Sequence, residues 1–220
     1  MDMKNDLQNK EIDRLLKAYP QLATLKNSIY SSCKRIEKAF LAHNFLYICG
    51  NGGSAADAEH IAGELLKGFL CRRPLSEERC QALEAAGVDP ETGTYLKENL
   101  QQGFPVVSLT GHIALNTAMS NDVNADLVFA QQLNALGTKG DVLLAISTSG
   151  NARNVELCCY VAQALGMDVI GLTGRSGGRL QKVSDILLSV PESETPRVQE
   201  LHVPLYHTLC TMIEAAFFSI

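Results

Sequence analysis

LYICGNGGSAADAEHIAGEL, residues 46–65, opens as a strand, passes through a glycine turn and ends as a helix. A short apolar run, Phe45 to Cys49, leads into Gly50, Asn51, Gly52, Gly53 and Ser54. The small-residue helix that follows carries Asp57, His60 and Glu64. Strand, turn and helix in this order place an anion at a helix N-terminus, where the first N–H groups lack intrahelical partners and the dipole favours negative charge. Glycine lets backbone come close to a ligand, and Ser54 is placed to serve as both N-cap and phosphate donor. The turn is neither G-x-G-x-x-G nor G-x-x-x-x-G-K-[ST], so neither a dinucleotide nor a nucleoside triphosphate is indicated. His60 and Glu64 are four residues apart and share a helix face just beyond the turn. The bland alternative is an ordinary serine-capped turn. A His/Glu pair beside a phosphate-sized anion site points instead to chemistry on a small phosphorylated molecule.

The same pattern recurs downstream. Residues 105–109, PVVSL, form a second short strand, and helices are expected from about His112 to Asn121 and from Ala125 to Leu136. Val142 to Ile146 is an uninterrupted apolar run, as expected of a parallel strand covered on both faces. It ends in Ser147, Thr148, Ser149, Gly150 and Asn151, and a helix follows to about Leu165. Two such turns at strand C-termini put two ligand-binding edges on one rim of an open sheet. Strands at Val169 to Thr173 and Ile186 to Val190 complete five, and the segment from Pro196 to Phe218 is helical in pattern, with Pro204 expected to turn or kink it. Residues 6–44 show helical spacing in two pieces separated by Pro20, and their apolar face packs within the subunit or against a neighbour. Residues 71–104 change character, being rich in charge, Pro, Gly and Thr, and are expected to be an insertion with helices near 76–86 and 94–102. The alternation predicts an α/β fold, a three-layer αβα sandwich on a five-stranded parallel sheet with N-terminal helices, in one domain over 1–220.

The chain has 220 residues, 46% of them hydrophobic, and a formal net charge of −5. No basic tract offers a nucleic-acid surface. No apolar run approaches the roughly 20 residues that span a membrane. Seven scattered cysteines without C-x-x-C spacing suit free thiols in a reducing compartment. With a polar N-terminus, the expected setting is cytoplasmic.

The loop Ser147, Thr148, Ser149 offers hydroxyl and backbone donors suited to a phosphate monoester, though such loops also serve as plain caps. Asn121 and Asp122 either hold sugar hydroxyls or close a helix. Gln199 and His207 lie eight residues apart, roughly 80° around a helix at ~100° per residue, so both can address one site. His202 falls to the other side of Gln199 and reads as structural.

The blocks CGNGGSAADAEHIAGEL, GDVLLAISTSGNARNV, GMDVIGLTGRSGG and RVQELHVPLYHTLCTMIE resemble the sugar isomerase (SIS) domain, and most of all the phosphoheptose isomerases. The resemblance covers most of the chain outside the 71–104 segment. It implies a homotetramer with sites at subunit interfaces and the conversion of sedoheptulose 7-phosphate to D-glycero-D-manno-heptose 7-phosphate. It implies substrate contacts by Asn51, Gly52, Gly53, Ser54, Glu64, Asn121, Asp122, Ser147, Thr148, Ser149 and Gln199. Glu64 and His207 fall on the family's acid/base pair. His60, Glu64, Gln199 and His207 fall on its zinc ligands, a soft set because zinc more often takes Cys, His and carboxylate. The chain departs from the family at Ala152, where many members have a phosphate-binding Ser, and at Pro196, where some have Asp. An Arg often found soon after the active-site Glu is replaced nearby by Lys67. Two other classes remain open: a non-catalytic relative that binds the replication initiator, and a sugar-phosphate sensor.

Overall fold

The structure is a computed structural model that describes residues 3–218. Five strands, β1 (Leu46–Cys49), β2 (Val106–Ser108), β3 (Val142–Ser147), β4 (Asp168–Thr173) and β5 (Ile186–Ser189), form one sheet in the order β2-β1-β3-β4-β5. All neighbouring pairs are parallel, with Cys49 opposite Ala145 and Ser147 opposite Thr173. All five expected strands are present within one residue at each end.

Alternate strand residues enter two separate cores. Leu46, Ile48, Val142, Leu144, Ile146, Ile170 and Leu172 pack against α1 (Met3–Ala18), α2 (Lys26–Leu41), α3 (Gly53–Leu66) and α10 (Thr195–Phe217). Tyr47, Cys49, Leu143, Ala145 and Val169 pack against α7 (Val128–Leu136), α8 (Arg153–Ala164) and α9 (Leu180–Val183). Both faces of β1 and β3 are buried, which explains why they read as continuous apolar runs. The architecture is therefore the three-layer αβα sandwich.

Chain order sets the site. From β1 the chain crosses to β2 on one side, whereas β3 continues to β4 on the other. This reversal leaves a crevice outside the carboxyl ends of β1 and β3, the position where open α/β sheets bind ligands. The glycine turn and the hydroxyl loop lie at those two strand ends.

Several boundaries differ from expectation. A 3-10 turn, Pro20–Leu25, joins α1 to α2. The helix expected to run to Asn121 is α6 (Ile113–Ala118), and it breaks into a π turn over Met119–Val123. The helix expected from Ala125 begins as a 3-10 turn, and α7 starts at Val128. In 71–104, α4 (Glu77–Ala85) is capped by Ser76, whose hydroxyl accepts from the N–H of Arg79. The second helix, α5 (Pro90–Asn99), starts four residues earlier than expected because Asp89 caps it and Pro90 opens it. Pro204 lies inside α10 without ending it. Among the described residues no helix is long and apolar enough to cross a membrane.

Candidate active site

The rim comes first. At the end of β1, the N-cap of α3 is Gly52, with φ 55° and no side-chain cap bond. Ser54 is therefore not the cap; it is buried in the first turn and its N–H bonds the Asn51 carbonyl at 3.0 Å. Asn51 and Asn154 exchange two amide hydrogen bonds of 2.8 and 2.9 Å, which ties the glycine turn to the first turn of α8. At the end of β3, Ser147 is buried and Ser149 exposed. The Ser149 hydroxyl accepts from the Asn151 N–H at 3.2 Å. The Thr148 carbonyl accepts from the Gly174 N–H at 2.9 Å. Gly150 has φ 66°, and a Cβ there would lie 2.2 Å from the Gly177 carbonyl oxygen, so the GRSGG loop after β4 backs the hydroxyl loop directly.

A cleft of ≈ 330 Å³ opens beside this rim, lined in part by Asn51, Gly52, Thr110, Asn116, Ser120 and Asn154. Asn121 and Asp122 sit on the π turn next to Ser120, exposed, and the Asn121 amide donates to Asp122 at 2.7 Å. They are not a helix C-cap.

The second part of the site lies where α10 crosses α3. Gln199 stands on the first residue of α3: a Cβ on Gly53 would lie 2.1 Å from Gln199 Nε2. Further along the two helices, His60 Nε2 is 3.2 Å from Glu64 Oε1. The His60 and His207 rings are 5.0 Å apart, nearly perpendicular. His60 Nδ1 is 3.0 Å from the Tyr206 hydroxyl. Lys67 holds the other Glu64 oxygen at 3.0 Å. Gln199 and His207 thus both address α3, but at different heights along it.

Burial shapes the electrostatics here. It pushes the His207 imidazole below its usual value, His60 adds to that, and Glu64 opposes it. His207 Nε2 is buried without a hydrogen-bond partner. Burial raises the Asp57 carboxyl against the opposing pull of Tyr206 and His60, and Asp57 Oδ2 also has no partner. Tyr206 is pushed up by burial and by Asp57. His202 is buried and, as expected, belongs to the packing; burial lowers it to about 4.

Under this cluster lies a charge pair that sequence patterns did not single out. Arg73 and Glu214 are both fully buried, with Nε to Oε1 at 2.8 Å. Glu214 also accepts from the N–H groups of Phe69, Leu70 and Cys71. Arg73 donates to the Leu65 carbonyl at 2.8 Å and the Glu64 carbonyl at 3.4 Å, and it stacks over Phe104. The C-terminal end of α3, which carries Glu64, is thereby pinned to α10.

Among the described residues no group of three or more His, Cys, Asp or Glu side chains stands ready to hold a metal ion. The donor chemistry still fits one. His60 Nε2 and Glu64 Oε1 already meet, and His207 Nε2, beside them, is a buried atom that lacks a partner.

Tyr206, Asp57 and Asn154 join residues already expected, though no role had been assigned to them. Asp57 carried a local signal, standing three residues before His60 on one helix face. Tyr206 and Asn154 meet their partners only through the fold.

Comparison with known proteins agrees with this fold. The SIS domain family model matches residues 90–174. A phosphoheptose isomerase of Aliarcobacter butzleri is 38% identical over 193 residues, 88% of this chain and 87% of the relative. One from Helicobacter pylori strain P12 is also 38% identical over 193 residues, covering 88% and 84%. Among solved structures, a phosphoheptose isomerase from Neisseria gonorrhoeae superposes with TM-score 0.71 at 32% identity, covering 92% of this chain and 94% of that one. Another from Francisella tularensis gives TM-score 0.71 at 29% identity, covering 97% and 99%. On the strength of these relatives, the chain belongs to the phosphoheptose isomerase family.

Proposed function

We propose that this sugar-phosphate isomerase converts sedoheptulose 7-phosphate into D-glycero-D-manno-heptose 7-phosphate by a ketose–aldose shift through an enediol(ate). The observation that carries the proposal is the meeting of His60, Glu64 and His207 between α3 and α10, below a rim suited to a phosphate. The chain acts as one SIS domain over 1–220, with 71–104 an insertion and homotetramer assembly. Ser147, Thr148 and Ser149 hold the phosphate. Asn51, Gly52, Gly53, Ser54, Asn121, Asp122 and Gln199 hold the sugar. A substrate anchored by its phosphate presents C1 and C2 to the cluster in a fixed pose.

Glu64 takes a proton from C1 of the ketose. The C1–H electrons form the C1–C2 double bond, and the C2 carbonyl oxygen becomes the enediolate oxygen. Glu64 then delivers a proton to C2, after partial exchange of the abstracted one with solvent, leaving the aldehyde at C1. His207 carries a proton from the C1 hydroxyl to the C2 oxygen. Its lowered pKa keeps the imidazole neutral near pH 7, able both to accept and to give. Zinc, held by His60, Glu64 and His207, would supply Lewis-acid polarisation of the carbonyl, whereas Gln199, seated on Gly53 at the start of α3, stands apart from these three within the subunit.

Turnover of sedoheptulose 7-phosphate by the purified protein tests the proposal. Glu64→Gln and His207→Ala are each expected to lower kcat by ~10²–10⁴-fold, the usual worth of a general acid or base. Wild-type protein that binds the sugar phosphate without converting it would favour a sensor. Protein assayed after chelation checks the zinc assignment; full activity without metal removes it.

A further inference from the structure

The candidate mechanism gives the 71–104 segment no role, and the way that segment packs is unusual. Between residues 71 and 103 a single residue is buried, Arg73. Helices α4 and α5 bury none. The excursion therefore builds no core of its own. Its two ends instead close as a clasp on the C-terminal end of α3. Pro74 and Gln101 form an antiparallel bridge. The Gln102 N–H donates to the Arg73 carbonyl and the Gln102 side-chain amide to the Pro74 carbonyl, both at 2.8 Å. Gln101 Oε1 accepts from the Gly68 N–H at 3.0 Å and from the Arg73 N–H at 3.4 Å.

We propose that Gln101 is a positioning residue for Glu64. Two lines of contact lead from one to the other. The carbonyls of the last turn of α3 lack intrahelical partners. Arg73, whose backbone Gln101 and Gln102 hold, donates to two of them, Glu64 at 3.4 Å and Leu65 at 2.8 Å. Gly68, whose N–H Gln101 holds, presents its carbonyl to Lys67 Nζ at 3.3 Å, and the same ammonium holds Glu64 Oε2 at 3.0 Å. The first line fixes the backbone of Glu64 and the second its carboxylate. The clasp is tight where the lines begin: a Cβ on Gly68 would lie 2.2 Å from the Cys71 carbonyl oxygen and 2.6 Å from Gln101 Oε1. A base that takes a carbon-bound proton works only from a narrow range of positions, so the exit of its helix has to be held. The use made of this placement rests on Glu64 acting as the base, as under Proposed function; the contacts themselves do not.

The experiment compares wild-type protein, Gln101→Met and Gln101→Glu in steady-state turnover of sedoheptulose 7-phosphate, in urea unfolding and in amide hydrogen exchange. Met keeps the length of the side chain and removes the amide oxygen, whereas Glu keeps an acceptor for both N–H groups. Gln101→Met is expected to lower kcat per folded molecule ~10–100-fold with KM unchanged, the scale of a misplaced catalytic group. Gln101→Glu is expected to return kcat close to the wild-type value. Exchange of the Gly68 N–H is expected to be ~10-fold faster in Gln101→Met than in wild type, the worth of one lost hydrogen bond. Unchanged kcat per folded molecule in Gln101→Met, a loss confined to KM or to the unfolding midpoint, or a Gln101→Glu variant as slow as Gln101→Met overturns the assignment. A Gln101→Met chain that does not fold overturns it too, because Gln101 would then be structural, and so does equal exchange at Gly68. Exchange needs no substrate, so a failed clasp is told apart from a failed isomerase reading, which would show as wild-type protein without turnover.

Discussion

The rim at the carboxyl ends of β1 and β3 is made of tight turns and short side chains bonded to one another and to backbone, and the cluster between α3 and α10 is made of longer titratable side chains. On the rim, turns, short residues and paired amides leave polar groups satisfied: Asn51 with Asn154, Ser149 with Asn151, Thr148 with Gly174. In the cluster, His207 Nε2 and Asp57 Oδ2 are buried without partners. A satisfied rim suits rigid anchoring of an anion. A cluster with unpartnered polar atoms carries stored polarity that ligand or metal can satisfy, and it depends wholly on α10 staying docked on α3.

The sharpest way to break the cluster is to remove its floor. Glu214→Leu leaves Arg73 as a buried unpaired charge and orphans the N–H groups of Phe69, Leu70 and Cys71. A loss of about 3–5 kcal/mol is expected in denaturant unfolding, with part of it recovered in the Arg73→Met/Glu214→Leu double variant. An unchanged midpoint would mean that the pair does not pin the helices.

Acid sharpens the contrast from beneath α10. His202 is buried there, and neither ring nitrogen has a partner. Its imidazole is lowered from 6.5 to about 4 in the folded chain, so below the unfolded value the native state binds fewer protons than the unfolded state. Stability from this residue is therefore full above pH ~6.5 and is lost as pH falls through about 4, on the order of 3 kcal/mol in all. Unfolding measured across that window should show the decline in wild-type protein and a shallower one in His202→Gln; equal slopes would dismiss it.

A smaller change breaks the rim alone. Gly150→Ala forces a side chain into φ 66° and toward the Gly177 carbonyl. An expected loss of about 1–3 kcal/mol should come with a raised KM for the sugar phosphate. A raised kcat defect with KM unchanged would place Gly150 in the chemistry instead.

The sequence made the rim legible because its signals are local: an apolar run, then glycine or hydroxyl residues, then a helix. The five strands follow from short apolar runs, and the pair His60/Glu64 from a spacing of four residues. The cluster was only half legible. Tyr206 reaches His60 across 146 positions, and Arg73 reaches Glu214 across 141. Arg73 sits where charge and Pro/Gly content read as surface, yet Glu214 takes it into the core. Ser54 reads as the natural cap, but Gly52 adopts the positive φ that starts the helix two residues earlier. The start of α5 carried a local sign, Asp89-Pro90, that helical spacing alone passed over.

The division between an anchoring rim and a reacting cluster rests on Glu64 moving a carbon-bound proton. Conversion of sedoheptulose 7-phosphate in heavy water, followed by mass spectrometry and NMR of the aldose, measures that step directly. Solvent deuterium at C2 of the product in wild-type protein, absent in Glu64→Gln that still binds the sugar phosphate, is the expected result. Exchange undiminished in Glu64→Gln would contradict it.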